Sequence, residues 1–200
     1  MKEAAIGVRV HSGWGVLVAV SDNDGQPEIV ERKHLTIIDP TAAGTKQPYH
    51  FVEKFAVQAA ESHLSSCAGA SQKLARAAID EVLHDLRQRD YEVASCAILL
   101  ASGRKLPSLP DILASHALIH TAEGEFFRKA FRDAFEQLHV PVTGFREREL
   151  DKDAKELFGN EAAHVVRKIS DLRKSIGSPW TIDEKSAALA AWMLLSGNPQ

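Results

Sequence analysis

Polar and apolar residues alternate from the start of the chain, where Val8 and Val10 stand against Arg9 and His11 in MKEAAIGVRVHSGWGVLVAV. A period of two puts such neighbours on opposite faces of an extended backbone, so residues 4–21 are predicted as a strand exposed on one side, with a bulge at Gly13-Trp14-Gly15. SDNDGQP at 21–27 centres a turn on Asp24-Gly25, and EIVERKHLTIID at 28–39 alternates again, which predicts an antiparallel strand returning from a hairpin. DPTAAGTKQP at 39–48 reads as a loop. The period then lengthens. Helices are predicted at 50–64 and 71–89, separated at Gly69, the second carrying Leu74, Ala78, Val82 and Leu86 close to one face. EVASCAILLAS at 92–102 is a continuous apolar run, as expected of a central parallel strand buried on both faces. Beyond Pro107 and Pro110 come helices at 112–118 and 122–138, then a short strand in VPVTGFRER at 140–148. The remainder is helical, at 152–158, 160–175 and 182–195, and Thr181 with Glu184 three residues later forms a capping box for the last helix.

This order requires crossover connections, so the fold class is α/β: a mixed sheet with an N-terminal antiparallel hairpin and parallel central strands covered by helices. The expected organisation is an α/β domain over 1–150 and a helical C-terminal extension over 151–200 packed on the same domain. The elements at 4–21, 28–38, 92–102 and 140–148 resemble, in their order, the ribonuclease H-like and actin-like class. The resemblance implies for nuclease members a divalent metal held by carboxylates, including an aspartate on the first strand. Here that strand offers Arg9, His11 and Ser12 and no acid after Glu3, which disfavours the nuclease chemistry. The Asp22–Gly25 turn has the letters of a phosphate-cradling hairpin of the actin-like members, and equally those of any hairpin turn. No Walker, GxGxxG, HExxH or GxSxG motif is present.

Composition narrows the picture further. Hydrophobic residues make up 44% and charged residues 26% of the 200-residue chain, which suits one globular domain with an ample core. The balance of 24 basic against 27 acidic side chains argues against a general electrostatic affinity for nucleic acid or an anionic membrane. Cys67 and Cys96 have no CxxC spacing and read as reduced thiols. With no run of eighteen apolar residues, a cytoplasmic protein is the default expectation.

The chemistry-bearing residues gather in two places. In SHALIHTAEGEFFRKAFRDAFEQLH, at 115–139, Phe127, Phe131, Ala134 and Leu138 fall on one helical face, and Glu123, His120 and His116 continue it if the helix extends that far. His116 and His120 at i and i+4 can place two imidazoles on one divalent metal, with Glu123 as third ligand or as the base for a bound water. The competing reading makes Thr121 the cap of a helix beginning at Ala122, with Glu123 in its first turn. Phe126, Phe127, Phe131 and Phe135 mark the same helix as a core element, and Trp14 also reads as core.

RERELDKD, at 146–153, brings Glu147, Glu149, Asp151 and Asp153 to the end of the last strand. The carboxyl ends of parallel strands form a ligand crevice in open α/β sheets. Glu147 is therefore a candidate acid/base, and Ser102, Arg104, His11 and Glu149 are candidate substrate or anion contacts, against the alternative of a solvated charged edge. Two functions follow. One is a metal- or anion-binding hydrolase-like domain using these residues. The other is a non-catalytic module whose last helix, with Ala187, Ala188, Ala190, Ala191, Trp192 and Leu195, docks on another copy or a partner.

Overall fold

The computed structural model describes residues 1–101, 103 and 105–197. Strands β1 (Lys2–His11), β2 (Trp14–Asp22), β3 (Pro27–Thr36), β4 (Tyr91–Leu100) and β5 (Val142–Arg146) form one sheet in the order β3-β2-β1-β4-β5. The first three make an antiparallel meander, whereas β4 runs parallel to β1 and β5 parallel to β4. This is the mixed α/β sheet expected from the sequence, in a strand order that resembles the ribonuclease H-like class. The apolar run at 92–102 becomes β4, between β1 and β5, and the Asp24-Gly25 turn joins β2 to β3.

The first predicted strand is in fact two. His11 pairs directly with Trp14, so Ser12 and Gly13 are the two residues of a tight turn, with Gly13 at φ +83°. A glycine at positive φ serves a bulge and a hairpin equally, and only cross-strand pairing separates them. Splitting 4–21 supplies the third meander strand.

Helices α1 (Pro48–Val52), α2 (Val57–Gln88), α3 (Leu109–Leu113) and α4 (His116–Gln137) precede β5. Gly69 does not interrupt α2: a Cβ there would meet nothing within 4 Å. Its helix penalty of ~1 kcal/mol is outweighed by the buried stripe of Leu64, Cys67, Ser71, Ala75, Ile79 and Val82 on either side of it. Both cysteines are free and buried. α4 starts at His116, and the Thr121 hydroxyl donates back to the Ala117 carbonyl at 3.0 Å. Thr121 is therefore interior to the helix and does not cap it. Phe127, Phe131 and Phe135 are fully buried on α4.

Helices α5 (Leu150–Phe158), α6 (Ala162–Asp171), α7 (Arg173–Ile176) and α8 (Ile182–Gly197) follow β5. The Thr181–Glu184 capping box forms: Glu184 Oε2 accepts from the Thr181 N–H at 2.7 Å, and the Thr181 hydroxyl accepts from the Asp183 N–H at 3.2 Å. Two apolar layers flank the sheet. Ala4, Ile6, Val8, Leu17, Cys96 and Ile98 pack with α2 and α4, while Ala5, Val16, Val18, Val20, Ala97 and Leu99 pack with α8.

The seat of α8 corrects the expectation of a docking helix. Ala187, Ala188, Ala190, Ala191 and Trp192 are buried in the layer that α8 forms with this chain's own β1, β2 and β4. A Cβ on Gly7 would lie 1.9 Å from the Ala187 carbonyl oxygen, so the helix backbone rests directly on β1. Small residues permit that approach, and the face expected to meet another copy is already used. It also covers β1 on the side predicted to be exposed, leaving Arg9 and His11 half-buried. No helix among the described residues is long and apolar enough to cross a membrane.

Candidate metal centre

α1 and the first turns of α4 meet at one point. Pro48, with its fixed φ, opens α1 and sets His50 two residues on. His116 and His120 are one helical turn apart on α4, and their Nε2 atoms lie 3.0 Å from each other. One ring nitrogen from each of His50, His116 and His120 falls within 4.8 Å of the other two. The His50 ring meets both partners edge-on, with centroids 5.3 Å from His116 and 4.7 Å from His120.

Glu123 stands behind this trio. It is 2% exposed, its Oε1 accepts the His50 backbone N–H at 3.2 Å, and its Oε2 lies 2.9 Å from His50 Nδ1. That last contact is an ion-pair distance off the hydrogen-bond line of the ring N–H. The buried carboxylate thus supports His50 rather than joining the trio as a third ligand. With Nδ1 turned to Glu123, Nε2 is the nitrogen His50 has left to give an ion. Burial, and then the Glu123 charge, push the neighbouring Tyr49 hydroxyl above its ordinary pKa. A cleft of about 500 Å³ opens beside His50, lined by the Pro40–Gln47 loop and Phe51.

Three imidazoles are a donor set suited to a zinc-class ion. Tetrahedral coordination at Zn–N distances of about 2.0–2.1 Å separates neighbouring nitrogens by roughly 3.3 Å, so the His116–His120 pair at 3.0 Å is already close to that spacing, with His50 within 4.8 Å of both. His50 is the member that sequence reasoning missed. Its sequence signal is no more than that of a histidine near a helix start, and Glu123 lies 73 residues away from it.

The strand ends hold a different cluster. The Arg9 guanidinium bonds Asp183 in the first turn of α8 and, through Nη2, Glu147 Oε1 at 2.5 Å. His11 Nε2 is 3.1 Å from Asp183 Oδ2. His11 also stacks on Trp14 at 4.1 Å, and Trp14 in turn on His34 at 4.3 Å. Trp14 is only half-buried, a stacked strand-end residue at the margin of the core. Burial first, then the Arg9 cation, hold the His11 pKa below its ordinary value despite the nearby carboxylate. The carboxylate that acts in the other direction is Glu147, and its pull upward is the smaller effect.

Glu147 and His11 are thus linked through Arg9 and Asp183, two residues outside the set of site candidates drawn from the sequence. Glu149 pairs with Arg146 and Arg148, both at 3.3 Å, and burial is outweighed by those two cations so that its carboxyl sits below the usual range. Ser102 and Arg104 lie outside the described residues. The resembled class implies a metal held by carboxylates at this end of the sheet. Here Glu147 and Asp183 are locked onto a guanidinium, and this donor set does not fit a divalent ion.

No family model matches the sequence, and no curated protein does. The fold is similar to that of T. thermophilus RuvC in complex with a Holliday junction substrate, with a TM-score of 0.55 and 12% identity over 97% of this chain and 93% of that one. A second Thermus thermophilus RuvC structure gives a TM-score of 0.54 at 11% identity, covering 96% of this chain and 93% of that one. The likeness is one of fold, and it agrees with the ribonuclease H-like topology. It also corrects the partner expectation drawn from charge. A chain of this fold is seen on a Holliday junction, so a near-neutral net charge is no ground for setting nucleic acid aside. Net charge sums the whole surface, whereas binding reads local charge.

Proposed function

We propose that the protein is a metal-binding, hydrolase-like domain whose ion is held by His50, His116 and His120. The observation that carries this reading is the convergence of the three ring nitrogens within 4.8 Å. Bound there with a fourth position open, a zinc-class ion would supply Lewis acidity and lower the pKa of a bound water. The chain's own part is to hold that set. Glu123 fixes His50 through its backbone N–H and lends its charge beside the ring, and α4 fixes the other two by helical spacing. The cleft between the Pro40–Gln47 loop and His50 is the place for a substrate.

The test is calorimetric titration of zinc into the metal-stripped, untagged protein. Stoichiometric binding that is lost in His120→Ala supports the reading, and absence of binding by the folded wild type removes it.

A second reading, in which nucleic acid is the substrate or partner, is favoured by the fold likeness to the junction-bound RuvC and by one local feature. The exposed Arg148 and Glu147 line an open cleft of about 450 Å³ with Leu100 and Ala101, at the carboxyl ends of β4 and β5. Fluorescence anisotropy with a labelled four-way DNA junction and a plain duplex tests it. Binding that weakens steeply between about 50 and 200 mM salt supports phosphate contacts. No change in anisotropy at low salt excludes them.

A further inference from the structure

Arg9 holds together three parts of the chain that are distant in sequence. Its guanidinium bonds Asp183, 174 residues away on α8, and Glu147, 138 residues away just past β5. Both oxygens of Asp183 are engaged, Oδ1 by Arg9 and Oδ2 by His11. The Arg9 and Asp183 side chains are 20% and 17% exposed, so water screens their charges only in part. Among the described residues Arg9 Nε is buried without a partner, and the head group is held by its two acidic partners.

A divalent ion at the same point would have to displace the guanidinium or sit against it. Like charges in a half-buried setting repel strongly, and both Asp183 oxygens already have partners. We infer that Arg9 is a built-in cation that takes the place of a metal among the strand-end carboxylates, so this end of the sheet binds no divalent ion while its acids stay gathered. The inference is independent of the histidine site.

The experiment is a manganese titration of the 200-residue chain, with free Mn²⁺ followed by electron paramagnetic resonance. His116→Ala and His120→Ala are combined as the background, so that imidazole binding does not contribute. This background is expected to bind no Mn²⁺ at micromolar concentrations. Adding Arg9→Asp leaves three carboxylates at one point and is expected to create one Mn²⁺ site per chain, at least tenfold tighter than the background. Further addition of Asp183→Asn should abolish that site. Stoichiometric Mn²⁺ binding by the background that disappears with Asp183→Asn would overturn the inference. So would a folded Arg9→Asp protein that gains no binding. Should circular dichroism show that Arg9→Asp does not fold, Arg9→Gln removes the charge at nearly constant size. In the same assay a gain of Mn²⁺ binding supports the inference and no gain overturns it.

Discussion

Replacing Glu123 by glutamine separates the support of His50 from mere space-filling. The side chain is 2% exposed; its Oε1 accepts the His50 backbone N–H at 3.2 Å, and its Oε2 carries charge 2.9 Å from the ring Nδ1 without a hydrogen bond to it. Glutamine has one oxygen and one NH₂. If the oxygen stays on the backbone N–H, a neutral NH₂ takes the place of the carboxylate charge 2.9 Å from Nδ1, so the electrostatic support of the ring N–H is lost. If the amide turns over, the NH₂ points at the backbone N–H and leaves that buried donor unsatisfied, at a cost of about 1–3 kcal/mol. Either arrangement weakens the site. Loss of a supporting partner behind a metal-binding histidine costs about 10–100-fold in affinity, or about 1.4–2.7 kcal/mol. Zinc titration of the stripped Glu123→Gln protein is therefore expected to give a Kd raised by that factor, with the far-ultraviolet circular dichroism unchanged. A Kd within twofold of wild type, in a folded protein, would refute the reasoning and leave Glu123 as a packing residue.

Other outcomes follow from the packing and the charges. Gly7→Ala would place a Cβ 1.9 Å from the Ala187 carbonyl oxygen, and because both sides are backbone they must part by roughly 1 Å or more. A loss of about 3 kcal/mol is expected, lowering Tm by about 6–12 °C in calorimetry, and an unchanged Tm would mean that α8 does not rest on β1 there. Gly69→Ala adds a methyl to open space within α2 and should raise Tm by about 2–4 °C, from about 1 kcal/mol of helix propensity; a fall would point to a role for the glycine other than helix formation. Burial and Arg9 keep the folded His11 pKa below 6.5, so the unfolded chain takes up that proton first. The His11 contribution is complete above pH 6.5 and is lost as pH falls from there toward the lowered folded value. Wild type should thus lose stability across that window faster than His11→Asn does in urea unfolding, and parallel profiles would contradict this sign.

Features written in short periods are legible in the amino-acid sequence. The β2–β3 hairpin follows from alternation on both sides of Asp24-Gly25, β4 from an unbroken apolar run, and the α8 start from a cap three residues wide. The α4 stripe is equally readable: Phe127, Phe131 and Phe135 recur at helical spacing, and His116 and His120 fall one turn apart. The extent of α4 is not, because Thr121 suits a cap and an interior back-bond to Ala117 alike.

The kind of each element, and the order in which the elements come, are written in the chain itself, since helix and strand periods are local properties. Which distant groups meet is settled in three dimensions. Ser12-Gly13 became a hairpin turn once His11 paired with Trp14, and the alanine-rich α8 found its partner in Gly7 of its own β1. His50 reached the α4 histidines, and Arg9 reached Asp183 across 174 residues. Such pairings depend on how crossovers bring strands and helices together in space, and a lone arginine or histidine in a sequence carries no mark of the partner it will meet.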